Sequence, residues 1–293
     1  MPDDQLPPLV STEWLAPRLG RAEVRVVDGS WYLPSTGRNA AAEFAEGHIP
    51  GAVFFDLDAS SDAATPLPHM LPSAADFATR MSGLGLDDES TIVVYDGSGV
   101  NLSAPRVWWT FQVFGHPSVA VLDGGLAKWR AEGRPLERGV PPARPARFTA
   151  RLDPARVRDL AALRNGGGSE QVVDTRPADR FEGRQPEPRA GVRSGHIPGS
   201  LNLPFTELVT SDGTVLPPER LRARLEAAGL DLRRPVVATC GSATSACSLV
   251  LALALLGHER VAVYDGSWTE WGGRDDTPIE VGPARGGGCT AIR

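Results

Sequence analysis

Cys240 is the residue in this chain best placed to do chemistry. The stretch "VVATCGSATSACSLVLALALLG" (236–257) is β-branched up to that cysteine. Six small, uncharged residues (241–246) follow, and then an apolar helical pattern begins. A strand that turns sharply into a helix aims several backbone N–H groups at one spot. The first-turn donors of a helix starting near Ser245 have no intrahelical partner, and its dipole adds partial positive charge. Such a cradle favours a thiolate. It also suits a longer sulfur anion, Cys–S–S⁻, because Gly241, Ser242, Ala243, Thr244 and Ser245 are small enough for the backbone to approach the outer sulfur. The competing reading is a cysteine that packs as a small core hydrophobe.

The other cysteines and the histidines read differently. Cys247 falls two turns down the helical pattern on its apolar face and is expected to pack, while Cys289, in "GGGCTAIR", is expected on an exposed, mobile terminus. Three cysteines are too few for a disulfide framework, and no C-x-x-C or H-x-x-E-H spacing marks a metal site, so neither metal nor cofactor is expected. His48 and His196 recur in "GHIPG", and His116 and His258 recur in Gly-His turns, so shared structure explains all four. His69, in "ATPLPHMLP", has no counterpart. Arginine is dense in "ADRFEGRQPEPRAGVRSGHIPG" (178–199), with Arg180, Arg184, Arg189 and Arg193, and its planar forks match carboxylate or sulfonate groups.

An internal repeat supplies the elements that must hold these residues. "VRVVDGSWY" (24–32) is echoed by "EQVVDTRPA" (170–178), and "GHIPGA" (47–52) by "GHIPGS" (195–200). "STIVVYDGS" (90–98) is echoed by "RPVVATCGS" (234–242), and "VFGHPSVAVLDGGLAKW" (113–129) by "LLGHERVAVYDGSWTEW" (255–271). Order and spacing are kept at an offset of about 145 residues, which marks a tandem duplication. Asp96 stands in the first copy where Cys240 stands in the second. Short Val/Ile-rich runs alternate with helical patterns such as "ERLRARLEAAGL" (219–230), so each copy is predicted to be a small doubly wound α/β domain, a parallel sheet flanked by helices. Ligands of such sheets sit beyond the carboxyl ends of the strands, where Cys240 falls. The expected boundaries are residues 1–138 for the first domain, 139–148 for a linker in the Pro/Arg-rich "ERGVPPARPARF", and 149–293 for the second domain with its flexible tail.

Bulk composition narrows the partners. A net charge of −6 with no basic stripe interleaved with aromatics argues against nucleic acid. The N-terminus "MPDDQLPPLV" has neither a basic nor an apolar signal region, and the apolar run "SLVLALALLG" is about half the length a membrane span needs. A cytoplasmic protein without a membrane partner is expected.

The two halves, with "FAEGHIPGAVFF" (44–55) in the first and "VAVYDGSWTEW" (261–271) in the second, resemble the tandem-domain rhodanese family of sulfurtransferases, from about residue 9 to 275. The neutral loop "CGSATSA" is more similar to the mercaptopyruvate branch, which carries Cys-Gly-Ser-Gly-Val-Thr-Ala, than to the thiosulfate branch, which carries basic residues there. The resemblance implies that Cys240 takes sulfur as a persulfide. It implies that Arg180 and Arg189 bind the carboxylate and carbonyl of a small-molecule donor, and that Ser242, His69 and Asp58 form a proton relay. It also implies an acceptor such as thioredoxin, a small thiol or cyanide. One departure stands out: Ala243-Thr244-Ser245 replaces Gly-Val-Thr, and glycine at the first of these gives freedom that alanine lacks. Three rivals remain open. They are a thiosulfate:cyanide sulfurtransferase, a non-catalytic rhodanese-like binding module, and a cysteine-dependent phosphatase. The last needs an arginine six residues after the cysteine, where this chain has Ala246.

Overall fold

The computed structural model describes residues 6–142, 144, 146–165 and 169–284; Cys289 lies outside them. The chain divides into two compact units. One comprises residues 1–63, 71–153 and 209–215, and the other residues 64–70, 154–208 and 216–293. The segment that carries His69 thus belongs with the second unit.

The first unit is built on β1 (Leu9–Val10), β2 (Val24–Asp28), β3 (Val53–Phe54), β4 (Thr91–Tyr95) and β5 (Val119–Leu122). Its helices are α1 (Thr12–Leu15), α2 (Ala40–Glu46), α3 (Ala74–Gly83), α4 (Ala104–Val113) and α5 (Gly125–Ala131). The second unit repeats the plan with β6 (Val157–Arg158), β7 (Gln171–Asp174), β8 (Leu201–Asn202), β9 (Val236–Thr239) and β10 (Val261–Tyr264). Its helices are α6 (Leu160–Asn165), α7 (Ala178–Phe181), α8 (Pro218–Ala227), α9 (Ala246–Leu255) and α10 (Ser267–Gly272). The strand orders are β1-β5-β4-β2-β3 and β6-β10-β9-β7-β8, and adding five to each number of the first gives the second. Every pairing between these strands is parallel.

The sequence explains this arrangement directly. Strands buried on both faces need unbroken apolar runs rather than alternation, and "TIVVY", "VAVL", "VVAT" and "VAVY" supply them. Val236 to Ala238 are at most 1% exposed, which fixes the end of β9, and so Cys240, against a rigid centre. Helix α9, "ACSLVLALAL", is buried along almost its whole length, as its lack of a polar face requires. Among the described residues no helix is long and apolar enough to cross a membrane.

The "GHIPG" and Gly-His histidines are structural. His48 donates from Nδ1 to the Phe44 carbonyl (2.8 Å) and stacks on that ring. His196 does the same with Phe181. His116 places Nε2 against the Ser90 carbonyl. His258 sits between the carbonyls of Leu232 and Arg260.

Candidate active site

Cys240 follows β9 by one residue and is 3% exposed, with the whole loop 241–245 buried beside it. Helix α9 starts at Ala246 with Ser245 at its cap, so the cysteine faces the first turn of a helix across five small residues. Ala243, the residue that departs from glycine, sits at φ 58°. That is the left-handed region, which costs an alanine about 1–2 kcal/mol, so the loop keeps a glycine-like turn without the glycine. Cys247 donates from Sγ to the Ala243 carbonyl (3.3 Å), a packing and bracing role within the loop.

Helix α10 clamps the loop from behind. The Ser267 hydroxyl accepts the Ala243 N–H (3.0 Å) and, more weakly, the Cys240 N–H (3.4 Å), while it donates to the Tyr264 carbonyl (2.8 Å). The Cys240 carbonyl accepts the Trp268 N–H (2.9 Å). The Gly241 carbonyl accepts both the backbone N–H (2.9 Å) and the hydroxyl (2.6 Å) of Thr269. Ser267 holds φ 50°, and its counterpart in the first copy, Gly125, holds φ 53°. A serine at a position where the other copy uses glycine bears strain in exchange for a hydroxyl that shapes the cysteine loop. Sequence reasoning missed Ser267 and Thr269. The contrast between "DGG" and "DGS" in the two copies was the available signal.

The predicted arginines separate on inspection. A Cβ placed on Gly241 would lie 3.2 Å from Arg180 Nη2 and 3.9 Å from Arg189 Nη1, so both guanidinium groups stand directly over the residue after Cys240. Arg184 is solvated on the surface with Asp179 and Glu182, and Arg193 ties down the carbonyls of Gly272 and Thr277. A buried chain of charges, absent from the sequence reading, orients Arg180. Asp174 at the end of β7 grips Arg176 with both carboxylate oxygens, Arg176 reaches Glu187 (2.8 Å), and Glu187 holds Arg180 with both oxygens (2.5 and 3.2 Å). The side chains of Asp174, Arg176 and Glu187 are at most 4% exposed, and the Arg176 guanidinium lies over the Trp268 ring. Its pKa is raised despite the opposing effect of burial, by the two carboxylates beside it.

His69 meets the loop as well. Its Nδ1 is 2.9 Å from the Ser242 hydroxyl, and the backbone of His69 is left-handed at φ 61°. Asp58 belongs to the other unit, where it accepts the Trp31 indole N–H (3.1 Å). Ser245 pairs its hydroxyl with Thr175 (3.1 Å). Among the described residues no cluster of His, Cys, Asp or Glu could hold a metal ion.

The first copy shows what the cradle does when it has no cysteine. Asp96 is 1% exposed and fills the equivalent place with its carboxylate. It accepts the N–H groups of Ser103 (2.9 Å) and Ala104 (2.8 Å) at the start of α4 through one oxygen, and the N–H and hydroxyl of Ser98 through the other. The first copy therefore binds an anion of its own at the spot where the second presents sulfur.

The rhodanese-like domain model matches residues 11–132 and again 157–274, together most of the chain. The chain belongs to the rhodanese family. Its rhodanese relatives include the 3-mercaptopyruvate sulfurtransferase of Rattus norvegicus, 46% identical over 95% of this chain and 96% of that protein. The thiosulfate sulfurtransferase of Bos taurus is 44% identical over 95% and 96%. Among solved rhodanese structures, the 3-mercaptopyruvate sulfotransferase SseA of Escherichia coli superposes with a TM-score of 0.82 at 39% identity, covering 90% of this chain and 99% of that one.

Proposed function

We propose that this rhodanese-family protein is a 3-mercaptopyruvate sulfurtransferase. The observation that carries the reading is an uncharged cradle around Cys240 with two arginines standing over Gly241. The Cys240 thiolate attacks the thiol sulfur of mercaptopyruvate. The carbon–sulfur bond breaks, its electron pair passes to carbon as the enolate of pyruvate, and Cys240 becomes a persulfide. Arg180 and Arg189 hold the donor's carboxylate and carbonyl, Arg180 with its orientation set by Glu187. The enolate carbon takes a proton from the Ser242 hydroxyl, which His69 replenishes, with Asp58 as the third member of the relay. An acceptor thiolate or cyanide then attacks the outer sulfur and releases the Cys240 thiolate, completing a double displacement.

Gly241, Ala243, Thr244 and Ser245 line the cradle that receives the transferred sulfur. A donor charged at its carboxylate, away from the sulfur in transit, needs no cation in the loop itself. Thiosulfate, with a sulfonate at the reacting sulfur, does. Thioredoxin or a small thiol is the proposed acceptor, without nucleic acid or membrane. The cytoplasm is the proposed compartment, although one similar Arabidopsis thaliana protein is named as mitochondrial. The linker at 139–148 between domains 1–138 and 149–293 is part of the same proposal.

Steady-state kinetics with each donor in turn, at a fixed thiol acceptor, test the assignment. The expected result is a kcat/KM at least tenfold higher for mercaptopyruvate, a difference of about 1.4 kcal/mol in transition-state binding. A higher kcat/KM for thiosulfate would move the protein to the thiosulfate branch.

A further inference from the structure

The imidazole of His69 meets two hydroxyls at one nitrogen. Nδ1 is 2.9 Å from Ser242 Oγ and 3.0 Å from Thr244 Oγ1. All three residues are buried, at 3% exposure for His69 and Thr244 and 6% for Ser242. A neutral imidazole nitrogen offers one lone pair or one N–H, never two full hydrogen-bonding directions. Two hydroxyls at near-equal distance therefore compete for a single place. Thr244 has one other acceptor within reach, the Ser242 carbonyl at a long 3.4 Å, so His69 is the stronger of the two contacts its hydroxyl makes there.

The backbone explains why both hydroxyls arrive together. The left-handed turn at Ala243 reverses the chain between Ser242 and Thr244, so residues on either side of it bring their side chains to the same point. His69 is itself left-handed, a conformation that costs an L-residue about 1–2 kcal/mol and that surrounding contacts must enforce. Thr244 stands where the loop this chain resembles has valine, so the second hydroxyl is a feature of this chain.

We propose that Thr244 is a positioning residue for His69, sharing Nδ1 with Ser242. When the Ser242 hydroxyl turns toward the donor's carbon, Thr244 takes over the hydrogen bond, and the imidazole keeps its place and tautomer through the step. Valine at this position has no hydroxyl to take over that hydrogen bond when Ser242 engages substrate. This inference rests on the reading of His69 as the proton source for pyruvate enolate.

The test compares Thr244→Val and Thr244→Ser with the parent protein in two measurements. In the first, kcat and KM are determined with mercaptopyruvate and with thiosulfate. Thr244→Val is expected to lower mercaptopyruvate kcat about tenfold, the worth of one hydrogen bond, and to lower thiosulfate kcat by a clearly smaller factor. Thr244→Ser restores kcat. In the second, the ¹⁵N resonance of His69 Nδ1 is recorded in the donor-free protein and assigned by its loss in His69→Ala. It is expected to shift in Thr244→Val and return in Thr244→Ser. The resonance needs no sulfur donor, so it tests the sharing even if the parent proves inactive with mercaptopyruvate, a result that would overturn the functional reading alone. An Nδ1 resonance that Thr244→Val leaves in place would overturn the sharing. So would equal losses with both donors, or a serine variant that fails to rescue, since either would reduce Thr244 to loop packing.

Discussion

The cysteine loop concentrates strain where sulfur would sit. Ala243, Ser267 and His69 all hold left-handed φ, and all three are buried around the same few atoms. Ala243 tolerates its turn because its side chain is only a methyl group. A β-branched replacement meets both the backbone penalty and a fully packed surrounding. Ala243→Val is expected to destabilise the protein by about 2 kcal/mol or more in urea denaturation; a loss below about 0.5 kcal/mol would mean that the loop adapts more freely than its geometry implies. His69 is the second test at this scale. Its proton is needed only by a donor that leaves as a carbanion, so His69→Ala should cut mercaptopyruvate turnover about a hundredfold and thiosulfate turnover far less. Equal losses would count against the relay.

Part of this site is legible in the sequence. Cys240 and the neutrality of its loop were legible because strand, small residues and helix are contiguous. Arg180 and Arg189 stood out only as members of an arginine-rich stretch until the resemblance picked out the pair. Glu187, Ser267 and the Thr244–His69 contact were not legible. Each depends on a side chain brought in by tertiary folding, across 175 residues in the last case, or on a φ value that no propensity reports for serine or alanine.

At the scale of elements, the duplication made the architecture readable. Unbroken Val-rich runs give buried parallel strands, and the same turn motifs recur at the same places in both sheets. The recurring histidines carry a consequence of their own. Burial holds the imidazoles of His116 and His196 below their ordinary pKa of 6.5. The folded chain thus keeps them neutral at a pH where the unfolded chain protonates them. Their contribution to stability is fully present above that pH and is lost as pH falls below it. Urea midpoints should therefore drop between about pH 7.5 and pH 5.5, and the drop should shrink in a His116→Gln His196→Gln variant. A drop of the same size in that variant would assign the pH dependence to other groups.

Across the whole molecule, the two copies have divided one ancestral plan. Both place a side chain before the N-terminus of a helix, but the first closes on its own Asp96 carboxylate and the second has Cys240 there. Asp96→Ala removes the acceptor of buried N–H groups at Ser98, Ser103 and Ala104 and should lower stability by about 2–4 kcal/mol. Sulfur loading of Cys240 should survive wherever circular dichroism shows the variant folded. Loss of loading in a folded Asp96→Ala protein would show that the Asp96 loop takes part in the chemistry beyond support.

In the proposed reaction Cys240 carries sulfur taken from mercaptopyruvate. Intact-mass spectrometry of the protein after incubation with mercaptopyruvate and no acceptor tests it most directly. The expected result is a gain of one sulfur atom per chain, localised to Cys240, matched by one equivalent of pyruvate and absent in Cys240→Ser. No mass gain, or a gain that persists in Cys240→Ser, would contradict it.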